Sequence, residues 1–205
     1  MLGVSAKMNE IKKIANLNSI PICEDVCEAF GGEYNGKSLG LIGKCGIISF
    51  DFGKIITTGE GGAIITNSRE IYNFAKEYHD HGHTNKSLQR GNDPAKIFGF
   101  NYRMTEIQGI IGKIQLKKLN KIINENKKRY SILHRNLSKL FQIRMIPDNS
   151  KSTYEAFIFT ERNKSKRKNI IKILTKNKFG TKNLPDAIKW HCSYYWGRGL
   201  DKKQI

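Results

Sequence analysis

The strongest constraint on the fold lies between residues 46 and 66. Two apolar, β-branched runs, Gly46-Ile47-Ile48-Ser49-Phe50 and Ala63-Ile64-Ile65-Thr66, bracket a segment that holds Lys54, Gly59, Gly61 and Gly62. Runs of that kind read as strands, and the glycines supply the positive φ that a tight chain reversal needs. Lys54 is thereby fixed just past a strand end, among Phe50, Phe52, Ile55 and Ile56. Desolvation in such surroundings lowers an amine's pKa and suits it to Schiff-base chemistry, although an isolated lysine is more often a surface residue.

The flanking sequence alternates helix and strand. Met8, Ile11, Ile14 and Ala15 fall at helical spacing with Ser5 available as a cap, and Asn18-Ser19 interrupts the pattern. Ile20-Pro21-Ile22-Cys23 then reads as a short buried strand ending at Glu24-Asp25, which puts a carboxylate at the carboxyl end of a parallel strand, where open α/β sheets hold ligands. Residues 68–78 read as a helix and 80–102 as a long loop. From Thr105, residues Ile107, Ile111, Ile114, Leu119, Ile122, Tyr130, Leu133, Leu137 and Leu140 trace one face of a long helix. Tyr154 to Thr160 reads as a strand and Ser165 to Lys176 as a basic amphipathic helix. The expected division is a domain over 1–125 and a smaller one over 126–205.

Composition bounds the class. A chain of 205 residues with 39% hydrophobic and 26% charged residues is globular and long enough to bury a core. No apolar run approaches the roughly 18 to 20 residues of a spanning helix, and the first residues carry no secretory-type stretch, so a cytoplasmic location is expected. The formal net charge is +18, and all of it falls in residues 101–205. A basic half invites a nucleic-acid reading. Its lysines, however, are scattered among Ile and Asn, as on ordinary solvated helix faces, and that reading is preferred. Cys23, Cys27, Cys45 and Cys192 have no zinc-ribbon spacing and read as reduced, buried thiols.

Asp25 and Lys54 are two of the parts that pyridoxal phosphate chemistry needs. A carboxylate keeps the pyridine nitrogen protonated so that the ring accepts electrons, and a lysine amine forms the Schiff base. Ser49, five residues before Lys54, could donate to the phosphate. Taken singly, Asp25 reads as a turn or capping aspartate and Ser49 as a satisfied strand hydroxyl. Together with neighbouring segments they form a pattern. Glu24-Asp25-Val26-Cys27-Glu28-Ala29 with Gly31, Ser49-Phe50 with Lys54 to Gly62, His81-Gly82, and Gly99-Phe100-Asn101-Tyr102-Arg103-Met104-Thr105 follow one another in order. From Ile20 to about Leu119 the chain resembles the sugar aminotransferase family of the DegT/StrS type.

That resemblance implies an α/β chain forming part of an aspartate aminotransferase-like, fold type I pyridoxal phosphate transferase, with a mixed sheet flanked by helices and a small C-terminal α+β domain. It implies that Lys54 binds the cofactor and moves the substrate proton, that Asp25 holds the pyridine nitrogen and that Ser49 binds the phosphate. Asn101 would reach the cofactor of the neighbouring subunit, making the active sites shared within a homodimer. Glu28 stands near the ring hydroxyl where the family usually has Gln or His, and an ionised Glu cannot donate there. Arg103 is a candidate for the amino donor's carboxylate, with a buried structural arginine the competing reading. His191, within Trp190 to Trp196, is a candidate on a sugar pocket, with a core or interface aromatic cluster as the competitor. The reaction implied is amino transfer from glutamate or glutamine to a keto sugar, a nucleotide-linked hexose or an eight-carbon keto acid, for surface polysaccharide or lipopolysaccharide.

The resemblance begins in the middle of the family's large domain, without its glycine-threonine phosphate loop or ring-stacking aromatic, and the chain reads as a fragment. Alternatives are a sugar dehydratase of the same family, which Lys54 argues against because that branch carries histidine there, and a non-catalytic remnant or basic nucleic-acid-binding module. Asp51-Phe52-Gly53 lacks the other kinase motifs, and Gly59-Glu60-Gly61-Gly62 lacks the Gly-Lys-Ser/Thr ending of a phosphate loop. His79, Asp80, His81 and His83 could bind a transition metal if extended, but the family carries a His-Gly pair here without one, and no metal is expected.

Overall fold

Met8 and Ala15 turn inward from α1 (Met8–Leu17), whereas Ile11 and Ile14 of the same expected face are exposed. The expected cap does not form. Ser5 Oγ donates instead to Ser150 Oγ at 2.9 Å, and the helix starts after Lys7 with no side-chain cap. The computed structural model describes residues 1–84, 86 and 92–183.

The first strand, β1 (Cys23–Asp25), begins later than Ile20, and Pro21 supplies the reason, since it brings no N–H to a ladder. Next come β2 (Glu33–Tyr34), β3 (Lys37–Ser38), β4 (Cys45–Ser49) and β5 (Gly62–Ile65). β1 runs parallel to β4 with Asp25 opposite Ile47, and β4 runs antiparallel to β5 with Ser49 opposite Gly62. The sheet order is β1-β4-β5, a mixed sheet as expected. Glu24, Gly46 and Ile48 are buried on one face, while Cys23, Asp25 and Ile47 turn to the other. On the buried side the backbone of Gly40 lies so close that a Cβ on Gly46 would stand 2.4 Å from Gly40 Cα. The main core cluster is Met8, Val26, Ala29, Tyr34 and Leu39, with Ile22, Phe30 and Ile42 packed against it.

Two helices follow. α2 (Arg69–Tyr78) is capped by Ser68, whose hydroxyl accepts from the Ile71 N–H. α3 (Glu106–Leu137) runs for 32 residues from a capping box in which Thr105 and Gln108 satisfy each other's N–H groups. β6 (Gln142–Ile143) and β7 (Ser150–Lys151) come next, and β7 joins β2 and β3 in a second, antiparallel sheet. Here Lys151 Nζ reaches Glu33 at 2.7 Å.

The strand expected over Tyr154 to Thr160 shrinks to β8 (Phe159–Thr160). Its first half is diverted: Tyr154 has a φ of 55°, and the Thr153 N–H and Ser152 hydroxyl both donate to the Gly3 carbonyl. Tyr154 and Phe157 then pack on Tyr130 of α3, each with ring centroids 5.2 Å away. The chain divides into two compact units, Met1–Phe159 and Thr160–Ile205. In the second, α4 (Lys164–Lys176) is capped by Asn163, and Lys166 pairs with Glu161 at 3.3 Å. Among the described residues no helix is long and apolar enough to cross a membrane.

Candidate active site

Asp25 stands at the carboxyl end of β1, exposed, with Oδ1 accepting from the Cys27 N–H at 3.0 Å. Hydrogen bonds from the Cys27 thiol and backbone, helped by the charges of Lys54 and the N-terminal amine, hold its carboxyl below the ordinary aspartate range. It is therefore an anion at neutral pH. Burial, and then the neighbouring Asp25, push the Cys27 thiol up to about 11, so it remains protonated. Its sulfur also lies 3.8 Å from the Ile47 carbonyl.

Lys54 lies beyond β4, half-buried, with its N–H donating to the Asp51 carbonyl at 3.0 Å. Its charge acts on Asp25, Cys27 and Glu155 together, which places amine and carboxylate in one electrostatic neighbourhood. The loop after it is pinned at several points. The Phe50 carbonyl accepts from the Thr58 N–H and the Thr57 hydroxyl, both at 3.0 Å, and the Glu60 carbonyl accepts from Thr58 Oγ1 at 2.6 Å and from Gln108 Nε2 at 2.9 Å. The start of α3 is thus tied to the lysine loop. Ser49, at the end of β4, accepts from the Asp51 N–H at 3.3 Å.

Glu28 is oriented by the amino-terminal segment: its Oε2 accepts from the Leu2 N–H at 3.2 Å, and its own carbonyl accepts from the Gly3 N–H. Its charge raises the pKa of Glu155, a residue lifted above the ordinary glutamate range chiefly by burial. Glu155 was not singled out by the sequence reading. The available signal was a single acid inside the apolar run Tyr154-Glu155-Ala156-Phe157-Ile158. Glu24 was likewise read only as part of a motif. It is buried, and its carboxylate accepts from the backbone N–H groups of Gly40, Ile42 and Gly43 at 2.7 to 2.8 Å. Glu24 shapes the sheet end from beneath while Asp25 faces the site.

The His81-Gly82 and Asn101 segments meet at the end of α2. Asp80 and Asn101 form an antiparallel bridge, and the Phe100 N–H donates to the Tyr78 carbonyl at 2.8 Å. Gly82 has a φ of +81°, and a Cβ there would lie 1.8 Å from the Ile97 carbonyl oxygen, so only glycine fits. Arg103 pairs with the Asp80 carboxylate, and its N–H donates to Asn101 Oδ1 at 3.4 Å. This ion pair joins two of the sequence blocks. His79 Nδ1 is 2.6 Å from the Lys76 carbonyl and His83 Nδ1 is 3.0 Å from that of Asp93. Among the described residues no three His, Cys, Asp or Glu side chains converge as a metal site. His191 lies outside the described residues.

Pyridoxal phosphate asks for an anion at its ring nitrogen, an amine at its aldehyde and donors at its phosphate. The ionised Asp25, the nearby Lys54 amine and the Ser49 hydroxyl match that donor set chemically.

Known proteins share this arrangement of sequence. The chain is 33% identical over 143 residues to GDP-perosamine synthase from Escherichia coli O157:H7, covering 70% of this chain and 38% of that one. It is 34% identical over 164 residues to UDP-4-amino-4,6-dideoxy-N-acetyl-beta-L-altrosamine transaminase from Campylobacter jejuni, covering 78% and 43%. It therefore spans less than half the length of these relatives. A solved structure of E. coli GDP-4-keto-6-deoxy-D-mannose-3-dehydratase with bound hydrated PLP superposes with a TM-score of 0.77 at 28% identity, over 93% of this chain and 55% of that one. Residues 1–201 match the DegT/DnrJ/EryC1/StrS aminotransferase family, to which the chain belongs.

Proposed function

We propose that this chain carries the lysine-bearing part of a pyridoxal phosphate-dependent sugar aminotransferase. The amino group would come from glutamate or glutamine and be delivered to a keto sugar, a nucleotide-linked 4-keto hexose or an eight-carbon keto acid, for surface polysaccharide. The observation that carries this reading is that Asp25 ends β1 and Lys54 follows the parallel neighbour β4, near enough for the lysine charge to help lower the Asp25 carboxyl. The relatives named as a GDP-perosamine synthase and a UDP-linked altrosamine transaminase support the nucleotide-linked hexose of these two.

When bound, the cofactor supplies an electron sink that stabilises negative charge on the amino-bearing carbon. Asp25, held anionic by Cys27, keeps a proton on the ring nitrogen. Lys54 anchors the cofactor and carries the proton that leaves or joins the substrate carbon. Ser49 donates to the phosphate. Glu28, whose carboxylate accepts from the Leu2 N–H, would stand near the ring hydroxyl. Asn101 and Arg103, positioned by Asp80, serve the partner's cofactor and the donor's carboxylate in a homodimer. His191 would be a candidate for contact with the sugar.

A relative that is a dehydratase keeps that chemistry in view. The presence of Lys54 favours amino transfer. The test is labelling of the longest polypeptide containing this sequence with pyridoxal phosphate and borohydride, followed by peptide mapping. Label on Lys54 is expected; a Lys54→Ala protein that keeps equal label on another lysine defeats the proposal.

A further inference from the structure

Cys23 and Cys45 are register partners on the parallel strands β1 and β4, and the Cys45 thiol donates to the Cys23 sulfur at 3.5 Å. The sequence reading of buried thiols is corrected here: Cys23 is exposed and Cys45 half-buried, and the two sulfurs face each other. Neighbouring strands hold opposed Cα atoms about 4.8 Å apart, inside the roughly 4.4 to 6.8 Å range that a disulfide bridges. Closing the remaining gap to a bond of about 2.05 Å takes side-chain rotation of the two cysteines. The Cys27 sulfur is engaged elsewhere, against the carbonyl of Ile47, two residues along β4 from Cys45.

We propose that Cys23 and Cys45 form a cross-strand dithiol site, which a small disulfide oxidant of the glutathione type converts reversibly into an intramolecular bridge. The Cys23 thiolate attacks one sulfur of oxidised glutathione, forming a mixed disulfide and releasing the first glutathione thiolate. The Cys45 thiolate then attacks Cys23 Sγ, forming the Cys23–Cys45 bond and releasing the second. The two protein thiols lose two protons and two electrons, and the oxidant gains them as two reduced glutathione molecules. Exposure makes Cys23 the point of entry. Cys45 is kept protonated by burial and by its contact with Cys23, so the second step accelerates as pH rises. The bridge would staple β1 to β4 close to Asp25 and Ser49, the residues those strands carry into the site. A bridge at the exposed Cys23 stays within reach of reducing thiols, as suits a reversible modification.

The experiment treats the folded chain with excess oxidised glutathione at mildly alkaline pH, caps remaining thiols with N-ethylmaleimide and maps peptides by mass. Expected are a Cys23–Cys45 peptide pair lighter by two hydrogens, an alkylated Cys27, and full reversal by dithiothreitol. Bridge formation should be at least about tenfold faster in the folded chain than in concentrated urea, where only loop closure brings the thiols together. Cys45→Ser should arrest the reaction with glutathione on Cys23, and Cys45→Ala serves if that variant fails to fold. A wild-type chain that keeps glutathione on Cys23 with Cys45 free to alkylate overturns the proposal. So does a bridge to Cys27, a rate unchanged by urea, or no reaction at either thiol.

Discussion

Glu24 and Asp25 are consecutive in the chain yet serve opposite faces of one strand. Glu24 is buried and gathers the N–H groups of Gly40, Ile42 and Gly43, while Asp25 is exposed, accepts from the Cys27 N–H and feels the charge of Lys54. The strand's alternation converts a pair of acids into one structural and one chemical group.

Removing the inner acid leaves three backbone donors facing a cavity. Glu24→Ala is expected to cost about 3 kcal/mol or more, because charge-assisted bonds are lost and their donors are left unpaired. Thermal unfolding followed by far-UV circular dichroism measures it. Glu24→Gln should fall between, since its oxygen still accepts but its NH2 meets N–H donors. An Ala variant as stable as wild type would show that the loop holds itself.

The outer acid behaves differently. Asp25→Asn should leave the circular dichroism spectrum unchanged while lowering amino transfer by the longest polypeptide containing this sequence about 100-fold or more, by the loss of a fixed charge at the ring nitrogen. The pH sign follows from the same carboxyl. Its folded pKa is lowered, so its contribution to stability is present above the ordinary value of 3.8 and is lost as pH falls through the folded value. Asp25→Asn should accordingly flatten the acid limb of the stability curve at its lowest-pH end.

Glu155 should do the reverse. Burial, with Glu28 nearby, raises its folded pKa above the ordinary 4.5. The folded chain then binds more protons than the unfolded one, and stability falls as pH rises from that value through the folded one. Glu155→Gln is expected to unfold at a higher temperature than wild type at neutral pH, with the difference vanishing below pH of about 4. A gain that persists undiminished in acid would assign the effect to packing. The Thr153 hydroxyl, which donates to Glu155 at 2.9 Å, can donate equally to the amide oxygen.

Gly82→Ala should dismantle the junction between α2 and the loop before α3. The added Cβ meets the Ile97 carbonyl, and the backbone φ of +81° disfavours any side chain. A loss of about 2 kcal/mol or more is expected. Limited proteolysis should report new cleavage near Phe98 to Tyr102, whose rings otherwise pack with one another and with Tyr78.

Much of this was legible in the sequence because it is local. The two strands around Lys54, the helix expected over 68–78 and the start of the long helix at Thr105 follow from period and glycine placement, and all stand within a residue or so of expectation. What escaped depends on distant partners. Ser5 is drawn from α1 by Ser150, and Tyr154 is turned out of its strand by Gly3, contacts between residues about 145 positions apart. The Arg103 pairing with Asp80 and the opposition of Cys23 to Cys45 likewise need register that spacing alone does not carry. The resemblance to the aminotransferase family named the chemical residues, whereas Glu24 and Cys27 entered only as members of its first block, with no role of their own, and Glu155 lies outside its blocks altogether.

β1 borders its sheet, with β4 on one side and no paired strand on the other among the described residues. The same sheet shows Ile47 and Ile64 to solvent at 38% and 53% exposure. An open rim of amide groups beside a bare apolar surface recruits any extended polypeptide within reach. Concentrating the isolated chain should therefore drive self-association, and its handling is governed less by melting temperature than by what shields that rim during synthesis.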